Sequence, residues 1–235
     1  MPDRDRPLYA VLIDADNIPA KYAGAILKEI TTFGEPALRR VYGDWSSSRL
    51  NSWSKVVHAL GLVAHQETAN TTNKNASDIG LVIDAMDILH SGRFDGFVLV
   101  SSDSDFTALA NRVREQGIDV IGIGERKTPE SLKNVCNRFI LLENILDDPA
   151  PAAKDQAPVK VDPKQAIPLI MRAMEKINSD DDWYTLGQLG QYITRDTPDF
   201  DPRSYGKKKL SDLIAGLSRF ETKKIGTQLH VRRAD

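Results

Sequence analysis

The stretch VLVSSDSDFTALA, Val98 to Ala110, decides how the rest of the chain is read. Val98, Leu99 and Val100 form the short apolar run of a buried strand, and Thr107 to Arg114 has helical spacing, so Asp103 and Asp105 fall on the turn between. In parallel α/β sheets that turn is where ligands bind. Ser and Asp before an apolar helix are also what an N-cap looks like, but capping needs one such residue. Here four polar residues, Ser101 to Ser104, are followed by a second acid. Two carboxylates held close together repel unless a cation or a proton lies between them. The stretch alone leaves capping and a metal or catalytic role open.

Working outward, strands and helices alternate through the first 146 residues. YAVLIDADN (residues 9–17) is a strand running into acids, and KYAGAILKEITTFG (21–34) is a helix closed by Gly34. ALRRVYGDW (37–45) is a second strand, LNSWSKVVHALG (50–61) a helix ended by Gly61, and LVAHQE (62–67) a third strand. NASDIGLVIDAMDILHSG (75–92) is a nearly all-apolar helix. Then come the strand FDGFVLVSS (94–102), a helix to Gln116, the strand DVIGIG (119–124), and SLKNVCNRFILLENI (131–145), a helix with a last short strand. This order predicts an α/β fold with a mostly parallel central sheet and helices on both faces.

Residues 147–161, DDPAPAAKDQAPVKV, are rich in Pro and Ala without periodicity, which reads as a linker between domains at 1–146 and 162–235. The remainder reads as helices near 163–178, 185–194 and 204–218, followed by FETKKIGTQLHVRR (220–233) as a hairpin. Helices plus a hairpin suggest a winged helix. Tyr205 and Leu210 read as core positions of the third helix.

Composition sets the frame. The chain has 235 residues, 27% charged and 41% hydrophobic, ordinary for a soluble globular protein. No run approaches the roughly 18 apolar residues of a membrane span, and MPDRDRPLY has no apolar signal core, so a cytoplasmic protein without membrane contact is expected. A single cysteine, Cys136, excludes an intramolecular disulfide and reads as a buried thiol. The four histidines have no zinc-ligand spacing, so any metal would be hard and oxygen-bound. The net charge of −2 hides an asymmetry: residues 1–159 carry 17 basic against 22 acidic side chains, and 160–235 carry 14 against 11. Nine basic residues between Arg203 and Arg233 fit a polyanionic partner, or simply a solvated face.

With the sheet in place the acids gather. Asp14, Asp16 and Asn17 end the first strand, Asp78 opens the long apolar helix, and Asp103 and Asp105 follow the fourth strand. If strands one and four are neighbours, these groups share one crevice at the carboxyl edge of the sheet. Carboxylates there, without histidine or cysteine, suit Mg2+ or Mn2+ and phosphoryl chemistry.

LIDADNIP (12–19), KNASDIGLVIDAMD (74–87) and VLVSSDSDF (98–106) together resemble the three motifs of the NYN domain, a LabA-like branch of the PIN-like, Rossmannoid ribonucleases. FDPRSYGKKKLSDLI (200–214), with WYTLGQLGQYI before it and HVRR after it, resembles the OST-HTH or LOTUS domain, a winged-helix module linked to RNA binding. The resemblance implies a Mg2+- or Mn2+-dependent ribonuclease, an endonuclease by preference, whose partner is RNA, with protein partners also open for the C-terminal module. It implies metal ligands at Asp14, Asp78, Asp103 and Asp105, with Asn17 as the polar partner that places substrate or metal. Asp16 lies beside this set, as a ligand or as an outward hydrogen-bonding group. The commoner form of the last motif has Gly where Ser102 stands.

RNA contacts are expected from Lys74 and Asn75, beside the acids, and from Arg203, Lys207, Lys208, Lys223 and Lys224. Asp84 is rotated about 240° from Asp78 on a straight helix, which argues against a common metal site and leaves a supporting role. Trp45 and Trp53 read as packing residues rather than base-stacking ones. GIGERK lacks the glycine spacing of a dinucleotide site. Two rival functions stand beside the nuclease: a catalytically silent RNA- or protein-binding adaptor, and a haloacid-dehalogenase-like phosphatase. The phosphatase would use the first Asp of DADN as nucleophile, but the chain offers no clear cap insertion.

Overall fold

β1 (Leu8–Asp14) is apolar up to its last residue, Asp14, because it is covered on both faces. The computed structural model describes residues 5–46, 48–66, 76–145, 161–177 and 182–234. In chain order the first unit comprises β1, α1 (Ala23–Ile30), β2 (Glu35–Gly43), α2 (Asn51–Leu60), β3 (Val63–Gln66), α3 (Ala76–His90), β4 (Gly96–Val100) and α4 (Thr107–Glu115). β5 (Asp119–Gly124), α5 (Glu130–Val135), β6 (Arg138–Leu141) and α6 (Leu142–Ile145) complete it. Among the described residues the sheet has six strands in the order β3-β2-β1-β4-β5-β6, and every pair is parallel. The expected alternation and parallel sheet are both present. β1 and β4 are central neighbours, with Ile13 beside Val100, and the strand order runs outward from them in both directions. That makes the space beyond their carboxyl ends the topological switch point.

Residue parity divides the core. Val11 and Ile13 face α1 and α2, where Ile26, Ile30, Trp53 and Val57 pack with Val98 and Val100. Ala10 and Leu12 face α3, α4 and α5, where Leu81, Ala85, Leu109, Val113 and Leu132 pack with Phe97 and Leu99. Successive strand side chains point to opposite faces, so β1 serves both cores. α3 is less buried than its composition suggests: Leu81, Ala85 and Ile88 pack inward, while Ile79 and Ile83 remain exposed.

Contact clustering separates residues 1–147 from 148–235. The second unit contains α7 (Ile167–Lys176), β7 (Tyr184–Thr185), α8 (Leu186–Asp196), α9 (Leu210–Ala215), β8 (Phe220–Ile225) and β9 (Gln228–Arg233). The strands form an antiparallel sheet in the order β7-β9-β8. Ile170, Met174, Leu189, Ile193, Leu213, Ile214, Phe220 and Val231 form its core. Thr185 and Gln188 make a capping box at the start of α8.

The third helix starts at Leu210, not near 204. Pro202–Tyr205 forms a 3-10 turn that ends on Gly206 in the left-handed region (φ 71°), and Lys209 is extended. Only glycine adopts that conformation without strain, so the helical pattern is interrupted there. Tyr205 and Leu210 are half-buried against the core.

Candidate active site

Two residues beyond Leu12, Asp14 turns to the same face and is 1% exposed. Its Oδ1 accepts the backbone N–H groups of Asp16 (3.1 Å) and Asn17 (3.2 Å). Its Oδ2 accepts the Asn17 side-chain amide (2.6 Å) and the Ser101 hydroxyl (2.8 Å). A carboxylate offers about four acceptor positions, and all of them are used. Burial pushes the Asp14 pKa above the usual carboxylate range, against the pull of the Ser101 and Asn17 hydrogen bonds.

Ser101 connects β1 to the turn after β4. It is buried, donates to Asp14, and accepts the Asp103 N–H (3.0 Å). Asp103 in turn accepts the Asp105 N–H on Oδ1 (2.9 Å) and so caps the 3-10 turn Ser104–Phe106 that leads into α4. The capping reading of Asp103 therefore holds for one oxygen, which leaves the other for different work. Ser102, where glycine is commoner, accepts the Glu125 N–H (2.9 Å) and ties this turn to the end of β5. Gly124 beside it has no room for a side chain, since a Cβ would lie 2.6 Å from the Ser101 carbonyl oxygen.

Asp78 occupies the first turn of α3. Its pKa is pushed up to about 6, first by burial and then by the negative charges of Asp14, Asp103, Asp16 and Asp105. Carboxylates from β1, α3 and the β4 turn thus act on one another across one crevice. Asp16 belongs with them: the Ser77 hydroxyl at the start of α3 donates to its Oδ2 (3.1 Å). Strand alternation does not govern Asp16, because β1 ends at Asp14 and Ala15–Asn17 is already turn.

Every donor here is a carboxylate, amide or hydroxyl oxygen or nitrogen, and the charged ones are all oxygens, which suits a hard divalent cation. Among the described residues no three His, Cys, Asp or Glu side chains stand close enough together to hold a metal ion as they are. A cation would have to draw the acids inward, offsetting the repulsion that raises Asp78.

Other expected residues fall elsewhere. Asp84 pairs with Arg40 and accepts the Tyr42 hydroxyl, with His65 Nδ1 at 4.0 Å, so it fastens α3 to β2 and β3. Trp53 is buried and donates its indole N–H to the Ile18 carbonyl (3.0 Å); Trp45 donates to the His65 carbonyl (2.8 Å). Cys136 is buried, and burial pushes its thiol up to about 12. Lys74 and Asn75 lie outside the described residues.

In the second unit Arg203 is tied to Asp201 by its backbone N–H (2.8 Å), its Nε (2.9 Å) and a terminal nitrogen (2.7 Å). It braces the turn before α9. Lys208, Lys223 and Lys224 are exposed and Lys207 is half-buried. Sequence reasoning missed Trp183: the β7-β9-β8 sheet brings Arg232 of β9 to 4.9 Å and Lys223 of β8 to 5.9 Å from its ring. It also missed Ser101, although parity with Leu99 places it on the Asp14 face.

The six-stranded parallel sheet with its helices is the architecture of a PIN-like domain, and a small unit of helices and an antiparallel sheet follows it in the chain. Residues 9–143 match the NYN domain and residues 159–231 the OST-HTH/LOTUS domain, and the chain belongs to the NYN domain family. That family is one of PIN-like nucleases, and OST-HTH modules bind RNA. No curated protein matches the chain. Among solved structures it is similar to the protein of unknown function VPA0982 from Vibrio parahaemolyticus, at 18% identity and a TM-score of 0.52, covering 62% of this chain and 99% of that one. That likeness concerns the fold alone. It also matches the uncharacterized NE0665 protein of Nitrosomonas europaea at 32% identity, over 38% of this chain and 90% of that one, with a TM-score of 0.28. Among the described residues no helix is long and apolar enough to cross a membrane.

Proposed function

We propose that the chain is a divalent-metal-dependent ribonuclease, acting endonucleolytically within 1–146, whose residues 162–235 recognise RNA across the linker 147–161. The observation that carries this is the gathering of acids at the topological switch point, where Ser101 of the β4 turn bonds both Asp14 and Asp103, and Asp16 bonds Ser77 at the start of α3, next to Asp78. Asp14, Asp78, Asp103 and Asp105 would hold Mg2+ or Mn2+, which when bound supplies nucleophile activation and neutralises charge on the phosphoryl group. Asn17 and Ser101 hold Asp14 in one orientation, so little reorganisation is left for the moment of reaction. Without a cation the crevice repels phosphate. Lys208, Lys223 and Lys224 supply exposed positive charge on the second unit.

A phosphatase using Asp14 as nucleophile is disfavoured, because residues 9–143 match the NYN domain, a family of PIN-like nucleases. The test is cleavage of end-labelled single-stranded RNA with Mg2+, Mn2+ or EDTA, comparing Asp103→Asn with the parent. Asp103→Asn removes charge at nearly constant shape and is expected to cut at least about 100-fold more slowly. Equal rates at saturating Mn2+ would remove Asp103 from the site, and absence of cleavage by the parent would favour the adaptor.

A further inference from the structure

A cavity of about 270 Å3 opens beside the acids, between the turn that follows β1 and the start of α2. Pockets for small ligands run from about 300 to 1,000 Å3, so this one has room for a single nucleoside and little more. Ile18, Leu50 and the edge of buried Trp53 make an apolar wall, while the exposed side chains of Arg49 and Ser52 stand at the mouth. Asp16 and Asn17 line the same cavity, and they are also the residues that face the acids: Asn17 donates to Asp14 and Asp16 accepts from Ser77. Cavity and acid crevice therefore share one wall. A pocket with one apolar wall, a polar remainder and a cation at its mouth, one residue from the proposed phosphoryl-transfer site, has the make-up of a nucleotide subsite. Asp16 lines the cavity together with Arg49, and the Asp44 carboxyl is held below its usual range first by the hydrogen bonds from Ser46 and only to a smaller extent by the Arg49 charge.

We propose that this cavity seats the ribonucleotide adjoining the scissile phosphate, its base against the apolar wall and its phosphate on Arg49. The assignment rests on the nuclease reading for the words adjoining the scissile phosphate, but nucleotide binding can be measured without any cleavage. Full-length protein in EDTA is titrated with the four nucleoside monophosphates while the Trp53 indole N–H resonance, which lies in the cavity wall, is followed by NMR. The titration is repeated with Arg49→Gln and Ser52→Phe. Both side chains are exposed, and the second fills the mouth. Binding in the millimolar range is expected, weakened about tenfold by Arg49→Gln and abolished by Ser52→Phe. With Mn2+ and an RNA substrate, both variants should raise KM by more than they lower kcat.

An unmoved Trp53 resonance, or equal affinity in all three proteins, overturns the subsite. Cleavage with an unchanged KM in both variants overturns it too, and leaves the nuclease standing. Specific nucleotide binding without RNA cleavage has the opposite meaning: the cavity holds a nucleotide, and the catalytic reading fails.

Discussion

Asp78 shows what the acid crevice costs the fold. Its folded pKa, about 6, lies above the unfolded value of 3.8, so its contribution to stability is fully present below about pH 3.8 and is lost as pH rises through 6. At neutral pH without metal, the ionised group sits among carboxylates that repel it. Asp78→Asn removes that repulsion and is expected to melt at a higher temperature than the parent at pH 7.5 in EDTA, with the gap closing toward pH 4 and with RNA cleavage lost. Thermal melts at the two pH values, paired with the cleavage assay, check this, and a lower melting temperature at pH 7.5 would contradict it. Cys136 behaves in the same sense, through burial but without the neighbouring acids. Burial raises its thiol from 9.0 to about 12, so the native protein should resist thiol reagents at pH 8 and react fully once denatured, and its share of stability fades between pH 9 and 12. A thiol titration with and without denaturant decides it; rapid reaction of the folded protein would mean the burial is wrong.

At the scale of elements, α3 is the one that must be aimed. Its first turn carries Asp78 into the crevice, and six residues later Asp84 is gripped by Arg40 and Tyr42 of β2. Asp84→Asn leaves the Arg40 charge without its partner, half-buried. A loss of about 1.5–3 kcal/mol in denaturant unfolding is expected, with weaker Mn2+ dependence of cleavage as the helix loses its setting. Unchanged stability would mean the pair is idle. The helix itself was plain in the sequence, as was β1, because an uninterrupted apolar run and a long apolar helix follow from burial on both faces of a parallel sheet. What was not legible depended on neighbours distant in the chain or on one backbone angle. The start of α9 shifted because Gly206 adopts a positive φ. Arg203, expected to meet phosphate, instead braces Asp201 two residues earlier. Trp183 gained its two cations only through the pairing of β9 with both β7 and β8. The acids of the crevice were legible because each closes or opens an apolar element. The role of Asp16 stayed open in the sequence, because its hydrogen bond comes from Ser77, 61 residues further along the chain.

For the whole molecule, the uneven distribution of charge separates two kinds of contact with RNA. On the proposed function, the first unit would meet phosphate through acids and a cation, and the second through exposed lysines. Affinity of the full chain for RNA should therefore fall steeply with salt. Changing Lys208, Lys223 and Lys224 to Ala together should flatten the slope of log affinity against log salt by about 2, at roughly 0.7 for each lysine on a single strand. Filter binding between low and physiological salt measures it, and an unaltered slope would assign those lysines to solvation. One feature of the crevice also governs when it can exist. The hydrogen bond from Ser101 to Asp14 spans 87 residues of chain, and Asp78 enters between them. While the protein is being made, the first strand emerges with its acid already present and nothing to receive it. The site cannot assemble until β4 has followed and inserted beside β1, so a truncated or stalled chain lacking that strand carries the same early acids and no crevice.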